Sequence, residues 1–155
     1  AVELKEKLER IVKFIDEEYS VNVFEYPDKL VLNVMGDGSG LIIGKKGQTL
    51  DALQHVMIKI AQKHSRDGKK IIVDTEKYRE KRIESVKELA KKLAEKVIKT
   101  GKALSVNPMS SFERRIVHLT LDTEKGVITE SQGEGPERKV VIKPAGRKRA
   151  GYNPK

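Results

Sequence analysis

Apolar residues recur along the chain in two rhythms, one helical and one alternating. Residues 2–18 carry Leu4, Leu8, Ile11, Val12 and Ile15 at helical spacing with charges between them, which predicts an amphipathic helix with one buried stripe. Segments 21–26 and 30–35 are strand-like, and Pro27-Asp28 between them supplies a turn, so a hairpin is expected. Helical rhythm returns over 48–65, with Leu50, Leu53, Val56 or Met57, and Ile60 on one face. Residues 69–74, built around Ile71, Ile72 and Val73, predict a short strand. Asp74 or Thr75 can then cap a long helix that runs to Thr100, with Ile83, Val86, Leu89 or Ala90, Leu93 and Val97 as its stripe and Gly101 as its stop.

Beyond that helix the elements are shorter. Residues 103–106 are a short strand broken by Asn107-Pro108, and Ser110-Ser111-Phe112-Glu113 is a capping-box pattern that opens a short helix. At about 100° per residue, Phe112, Ile116 and Leu119 cluster and form its expected core side, with Arg114 and His118 nearly opposite. A turn at 123–126 and strands at 127–132 and 138–144 follow, the two strands flanking Gly133-Glu134-Gly135-Pro136. From residue 145 the apolar pattern ends, and a mobile basic tail is expected over 145–155. The pattern divides the chain into 1–75, 76–144 and that tail.

Composition narrows the function classes. The 155 residues suit one ordinary domain or two small ones, and 37% hydrophobic against 35% charged content argues against one large core. No apolar run approaches the roughly 18–20 residues of a membrane span, and no signal peptide is visible. The absence of cysteine excludes disulfides, thiolate nucleophiles and Cys-ligated zinc. The sequence starts at Ala1, so a removed initiator or a trimmed N-terminal segment is expected. Net charge is +9, and it is uneven: residues 1–75 hold 12 basic and 12 acidic side chains, residues 76–155 hold 20 and 11. The second half is therefore the stronger attractor for a polyanion.

The chemistry concentrates at Leu41-Ile42-Ile43-Gly44-Lys45-Lys46-Gly47-Gln48-Thr49-Leu50. A glycine-bounded turn at a helix start exposes unpaired backbone N–H groups, the helix dipole adds positive potential, and two lysines add full charges. That is a phosphate site. It is neither a P-loop nor a dinucleotide fingerprint: Ser39 stands where the first P-loop glycine belongs, Lys46 follows Gly44-Lys45 in place of Ser or Thr, and the third dinucleotide glycine would fall on Leu41 or Ile43.

The order helix, strand, strand, Gly-Lys-Lys-Gly turn, helix, strand, with aliphatics flanking the glycines, resembles the type II KH domain. The resemblance implies an α+β fold of order α-β-β-α-α-β, a three-stranded sheet with helices on one face. It also implies that Gly44, Lys45, Lys46 and Gly47 clamp the backbone of about four nucleotides of single-stranded RNA. Ile42, Ile43 and Leu50, with part of the 71–73 strand, would line the adjacent groove for the bases. The second half carries Arg114-x-x-x-His118 followed by Gly133-Glu134-Gly135-Pro136-Glu137-Arg138-Lys139. It resembles the R-three-H domain, a small α+β module associated with single-stranded nucleic acid, in which Arg114 and His118 would bind and Arg138 and Lys139 would extend the basic face.

The two units in this order resemble the bacterial Jag family, also called KhpB or SpoIIIJ-associated proteins. That family usually carries a further N-terminal domain and linker, which this sequence lacks, so a link to a membrane-insertase partner is not carried over. The resemblance implies a cytoplasmic RNA-binding protein, an RNA chaperone or post-transcriptional regulator acting in cell elongation, division or sporulation. A small KH-only protein or a second copy would be its protein partner, and single-stranded DNA an alternative ligand. No enzyme activity, cofactor or metal is expected: His55, His64 and His118 sit in no metal-ligand spacing, and no paired-carboxylate motif is visible. The competing reading is a basic adaptor for a protein or an anionic membrane surface, without specific RNA binding and without insertion into the bilayer.

Overall fold

The computed structural model of the chain describes residues 1–36, 38, 40–64 and 68–146. The expected basic tail beyond 146 lies outside the described residues. The chain forms two compact units, Ala1–Glu80 and a second from Lys81 on.

The first unit begins with helix α1 (Val2–Lys13), which buries Leu8 and Val12. The helix stops earlier than its apolar pattern suggests: the N–H groups of Phe14 and Ile15 bond back to Ile11 and Val12 in a tightened last turn, and Ile15 lies beyond it, exposed. Strands β1 (Ser20–Glu25) and β2 (Lys29–Met35) form the expected antiparallel hairpin. Strand β3 (Lys70–Asp74) lies parallel to β2 and completes a sheet of order β1-β2-β3. A parallel neighbour needs a crossover, and helix α2 (Gln48–His64) provides it. Alternation along β2 turns Leu30, Leu32 and Val34 to one face, where they join Leu8, Val12, Leu50, Leu53 and Met57 in one core. The element order matches the expected type II arrangement, with the helix ahead of the glycine turn reduced to a single turn: Gly40 O accepts from both Ile43 N and Gly44 N at 3.1 and 3.0 Å.

Helix α3 (Tyr78–Thr100) starts later than a cap at Asp74 or Thr75 would set it. Glu76 and Lys77 adopt left-handed backbone (φ 48° and 58°), which cannot continue a right-handed helix. Thr75 is buried and donates its hydroxyl to Val34 O at 2.8 Å, while Asp74 Oδ1 accepts from the N–H groups of Thr75 and Arg79. Asp74 and Thr75 thus fix the turn itself.

In the second unit α3 buries Val86, Ala90, Ala94 and Val97. Strands β4 (Leu104–Ser105), β5 (Val127–Gln132) and β6 (Lys139–Pro144) form an antiparallel sheet of order β4-β6-β5. Helix α4 (Ser111–Leu121) carries the predicted capping box, with Glu113 N donating to Ser110 Oγ at 3.2 Å and Ser110 N to Glu113 Oε2 at 3.4 Å.

The expected burial of α4 is overturned. Phe112 and Leu119 are 62% and 63% exposed, Ile116 is half-buried, and the inward residues are Glu113, Val117 and Leu121. Val117 and Leu121 are the apolar pair that enters the core and sets the inward side, one turn apart with Glu113 on the same face. Arg82 Nε on α3 donates to Glu113 Oε1 at 2.7 Å, which lets a carboxylate stay on that face. Arg114 and His118 consequently lean against the sheet as half-buried flank residues and do not point away from it.

Candidate nucleic-acid interface

The glycine turn of the first unit is built around one carbonyl. Ile43 O accepts from Thr49 N and Leu50 N at 3.1 and 3.3 Å, so the chain that leaves Ile43 loops out for five residues and returns as α2. Gly44 N–H is held by Gly40, and Gly47 N–H bonds to Gly44 O at 3.3 Å. Gly44 has φ 70° and ψ −175°, a conformation open to glycine alone, and a Cβ there would stand 2.2 Å from Thr49 Oγ1. Lys46 is also left-handed, at φ 53°. Both lysines are exposed at the tip, directly ahead of the positive end of α2. Gly47 is buried against the Tyr78 ring, which lies 2.9 Å from where a Cβ would be.

The expected apolar groove is mostly core. Leu50 is fully enclosed, Ile42, Ile71 and Val73 are buried with it, and Ile43 keeps partial exposure. Sheet and α2 close over these side chains, so they support the turn from beneath. Leu41, at the start of this stretch but not among the expected groove residues, is the exposed aliphatic beside it. Arg79 is a further basic group at the head of α2: Nη1 pairs with Asp51 Oδ1 at 2.8 Å, Nε donates to Val73 O at 2.9 Å, and Nη2 is buried without a partner. The sequence signal for Tyr78 and Arg79 was absent, because both act across a turn whose left-handed residues carry no motif.

In the second unit Arg114 and His118 lie side by side over β5. Arg114 Nη1 donates to Ser131 Oγ at 3.0 Å, and His118 Nδ1 meets Thr129 Oγ1 at 2.7 Å. Arg138, at the end of the 133–137 loop, brings its Nε to the same Ser131 oxygen at 2.9 Å and its Nη1 to Gly133 O at 3.3 Å. The two guanidinium nitrogens on Ser131 are thus about 6 Å apart or closer, where unit charges repel by about 3 kcal/mol at an effective dielectric near 20, before salt screening. An anion beside the pair lowers that cost. Lys139 does not join this group. It pairs in register with Gln132, on the sheet face opposite Ser131 and Val140. On that other face Lys143 binds the Glu130 carboxylate and, with the Gln132 side chain, holds it below the usual carboxylate range.

His55 is exposed on α2, and the side chain of His64 lies outside the described residues. Among the described residues no cluster of His, Asp and Glu could hold a metal, and no helix is long and apolar enough to cross a membrane.

Comparison with known proteins agrees with both units. Residues 5–74 match the KhpA/KhpB KH domain, and residues 84–144 match the R-three-H domain. The RNA-binding protein KhpB of Clostridium symbiosum is 43% identical over 125 residues, covering 81% of this chain and 56% of that protein. The RNA-binding protein KhpB of Bacillus subtilis (strain 168) is 38% identical over 137 residues, 87% of this chain and 66% of that protein. The chain therefore spans between about half and two thirds of the length of these relatives. A KhpA/KhpB-type KH domain followed by an R-three-H domain, with both glycine turn and Arg-xxx-His pair in place, makes this chain a member of the KhpB family.

Proposed function

We propose that this chain binds single-stranded RNA, without chemical turnover, by gripping the sugar-phosphate backbone at two places. The observation that carries the reading is the turn Gly44-Lys45-Lys46-Gly47, which sets two exposed lysines at the positive end of α2 on a backbone that glycine alone permits at its first position. Lys45 and Lys46 hold phosphates there, and Ile43 with Leu41 offers apolar contact to the bases. Arg114, His118 and Arg138 form the second grip, in the more basic half of the chain. With no Trp and few aromatics, affinity comes mainly from phosphate neutralisation, so it falls steeply with salt and discriminates little among sequences. The names of the relatives support RNA as the ligand. The wider role follows the family: an RNA chaperone or post-transcriptional regulator in the bacterial cytoplasm, serving cell elongation, division or sporulation, and partnered by a small KH-only protein or a second copy.

The test is filter binding of unstructured single-stranded RNA across a salt series. Wild type is compared with Lys45→Asp/Lys46→Asp and with Arg114→Ala/His118→Ala. Both variants bind less tightly on this reading. Undetectable RNA binding at low salt, beside tight capture by an anionic vesicle or a protein, would replace it with the adaptor reading.

A further inference from the structure

The first unit's sheet is covered on one side. Leu30, Leu32 and Val34 of β2 meet α1 and α2 in the core, so alternation turns Lys29, Val31 and their neighbours on β1 and β3 to the other face, away from both helices. Register orders that face in rows. Phe24 of β1, Val31 of β2 and Ile72 of β3 pair across the three strands. Two residues along, Lys29 pairs with Lys70, and Tyr26 N donates to Lys29 O at 2.8 Å, which puts Tyr26 at the head of the same row.

This face is aromatic and cationic. Phe24 and Tyr26 stand two residues apart, about 7 Å along the chain, and are 49% and 45% exposed. Cross-strand pairing with Val31 accounts for part of the Phe24 ring and leaves the rest in water. Lys29 Nζ lies 5.0 Å from the centre of the Tyr26 ring. Among the described residues neither Lys29 nor Lys70 pairs with a carboxylate, whereas the adjacent Lys69 is held by Glu25.

Exposed rings on an open sheet, with cations beside them, suit a single strand: bases stack on the rings and phosphates meet the cations. Base stacking is stronger than an exposed ammonium over a ring, so a base arriving on Tyr26 displaces Lys29 toward the following phosphate. A protein partner fits less well. Strands of five to seven residues each offer about three side chains here, short of the roughly 20–30 residues a side of a stable interface.

We propose that the helix-free face of this sheet is a further binding surface for single-stranded RNA, on which Phe24 and Tyr26 stack bases and Lys29 and Lys70 neutralise phosphates. The surface is separate from the glycine turn. That turn follows the Met35 end of β2 and leads into α2 on the core side, whereas Lys29 stands at the other end of β2, about 20 Å along the strand. It shares the ligand of the proposed function and depends on neither the turn nor Arg114 and His118.

The experiment uses the full chain and a labelled, unstructured oligouridine long enough to cross both surfaces. Anisotropy across a salt series compares wild type with Phe24→Leu/Tyr26→Leu, Tyr26→Phe, Lys29→Gln/Lys70→Gln and Lys45→Asp/Lys46→Asp. Phe24→Leu/Tyr26→Leu keeps apolar bulk and removes the rings, so it should melt like wild type and bind about 10-fold more weakly, with an unchanged salt slope. Tyr26→Phe should stay within about twofold of wild type. Lys29→Gln/Lys70→Gln should weaken binding and flatten the salt slope by about 1.4. A second readout needs no substitution: with 4-thiouridine in the RNA, irradiation of the wild-type complex should crosslink peptides at Phe24 or Tyr26. If Lys45→Asp/Lys46→Asp loses affinity while the ring and Lys29/Lys70 variants bind like wild type and no crosslink falls on Phe24 or Tyr26, this surface is overturned and the glycine-turn reading stands. If the ring variant loses affinity and those crosslinks form while Lys45→Asp/Lys46→Asp binds like wild type, the sheet face stands and the turn fails. If wild type sediments as a dimer that Phe24→Leu/Tyr26→Leu converts to monomer with RNA affinity unchanged, the face belongs to a second copy and the proposal is overturned.

Discussion

Reversing both lysines of the glycine turn separates electrostatic grip from fold. In Lys45→Asp/Lys46→Asp each position changes by two charge units. A phosphate seated over the turn would lie within about 6 Å of each side-chain charge, where one unit pair in water is worth about 0.7 kcal/mol. Four units of change therefore amount to about 3 kcal/mol, and screening at about 0.1 M salt leaves roughly half of it. The expected loss is about 100-fold at low salt and about 10-fold near 0.1 M. Loss of two phosphate contacts should also flatten the plot of log affinity against log salt by about 1.4. Stability should hold, because both side chains are exposed and the left-handed backbone of Lys46 suits Asp better than Lys. Anisotropy with a short unstructured RNA, beside a thermal melt, measures all three. A variant that melts like wild type and keeps wild-type affinity and salt slope would take this turn out of the interface.

Other substitutions probe the scaffold. Gly44→Ala forces a Cβ to within 2.2 Å of Thr49 Oγ1 at φ 70°, and should cost about 2–4 kcal/mol, read as a lowered melting transition of the first unit together with weaker RNA binding. Glu113→Ala removes both the capping box and the partner of Arg82, and should destabilise the second unit by about 2–4 kcal/mol, against about 1 kcal/mol for Ser110→Ala; denaturant titration of both variants checks the ratio. Phe112→Ser should leave stability within about 0.5 kcal/mol, whereas Val117→Ala should cost about 2 kcal/mol, and the reverse order would restore the burial expected from the apolar pattern. Lys143 holds the Glu130 carboxyl low, so this exposed pair adds stability above the unfolded carboxyl value and loses it as pH falls through the folded one. Glu130→Gln should therefore make the melting temperature slightly less sensitive to acid, as thermal melts at a series of pH values would read.

Local rules carried far along this chain. Capping chemistry placed the N-cap of α4 at Ser110, the strand-like segments 21–26 and 30–35 with the turn at Pro27-Asp28 gave the β1–β2 hairpin, and the strand-like segment 127–132 became β5. These features depend on residues within a few positions of each other, where backbone preference and side-chain capping act directly. Misreadings arose where a distant partner overruled a local tendency. The stripe Phe112–Ile116–Leu119 is a sound amphipathic face, yet α4 buries Val117 and Leu121, and Glu113 on that same side is tolerated because Arg82, far back in the chain, pairs with it. Ile42 and Leu50 flank the glycine turn in sequence, but sheet packing encloses them and leaves Leu41 outside. Lys139 follows Arg138 directly, and strand alternation sends it to the other face.

By itself, then, the sequence determined the elements, their order, and both charge-bearing motifs, since glycine turns and i,i+4 pairs are written in adjacent residues. The tertiary structure decided which side of each element faces inward. It also decided that Tyr78 backs Gly47, and that Ser131 gathers Arg114 and Arg138. Those contacts join residues from separate elements, and their geometry exists only once the sheet and the helices have packed.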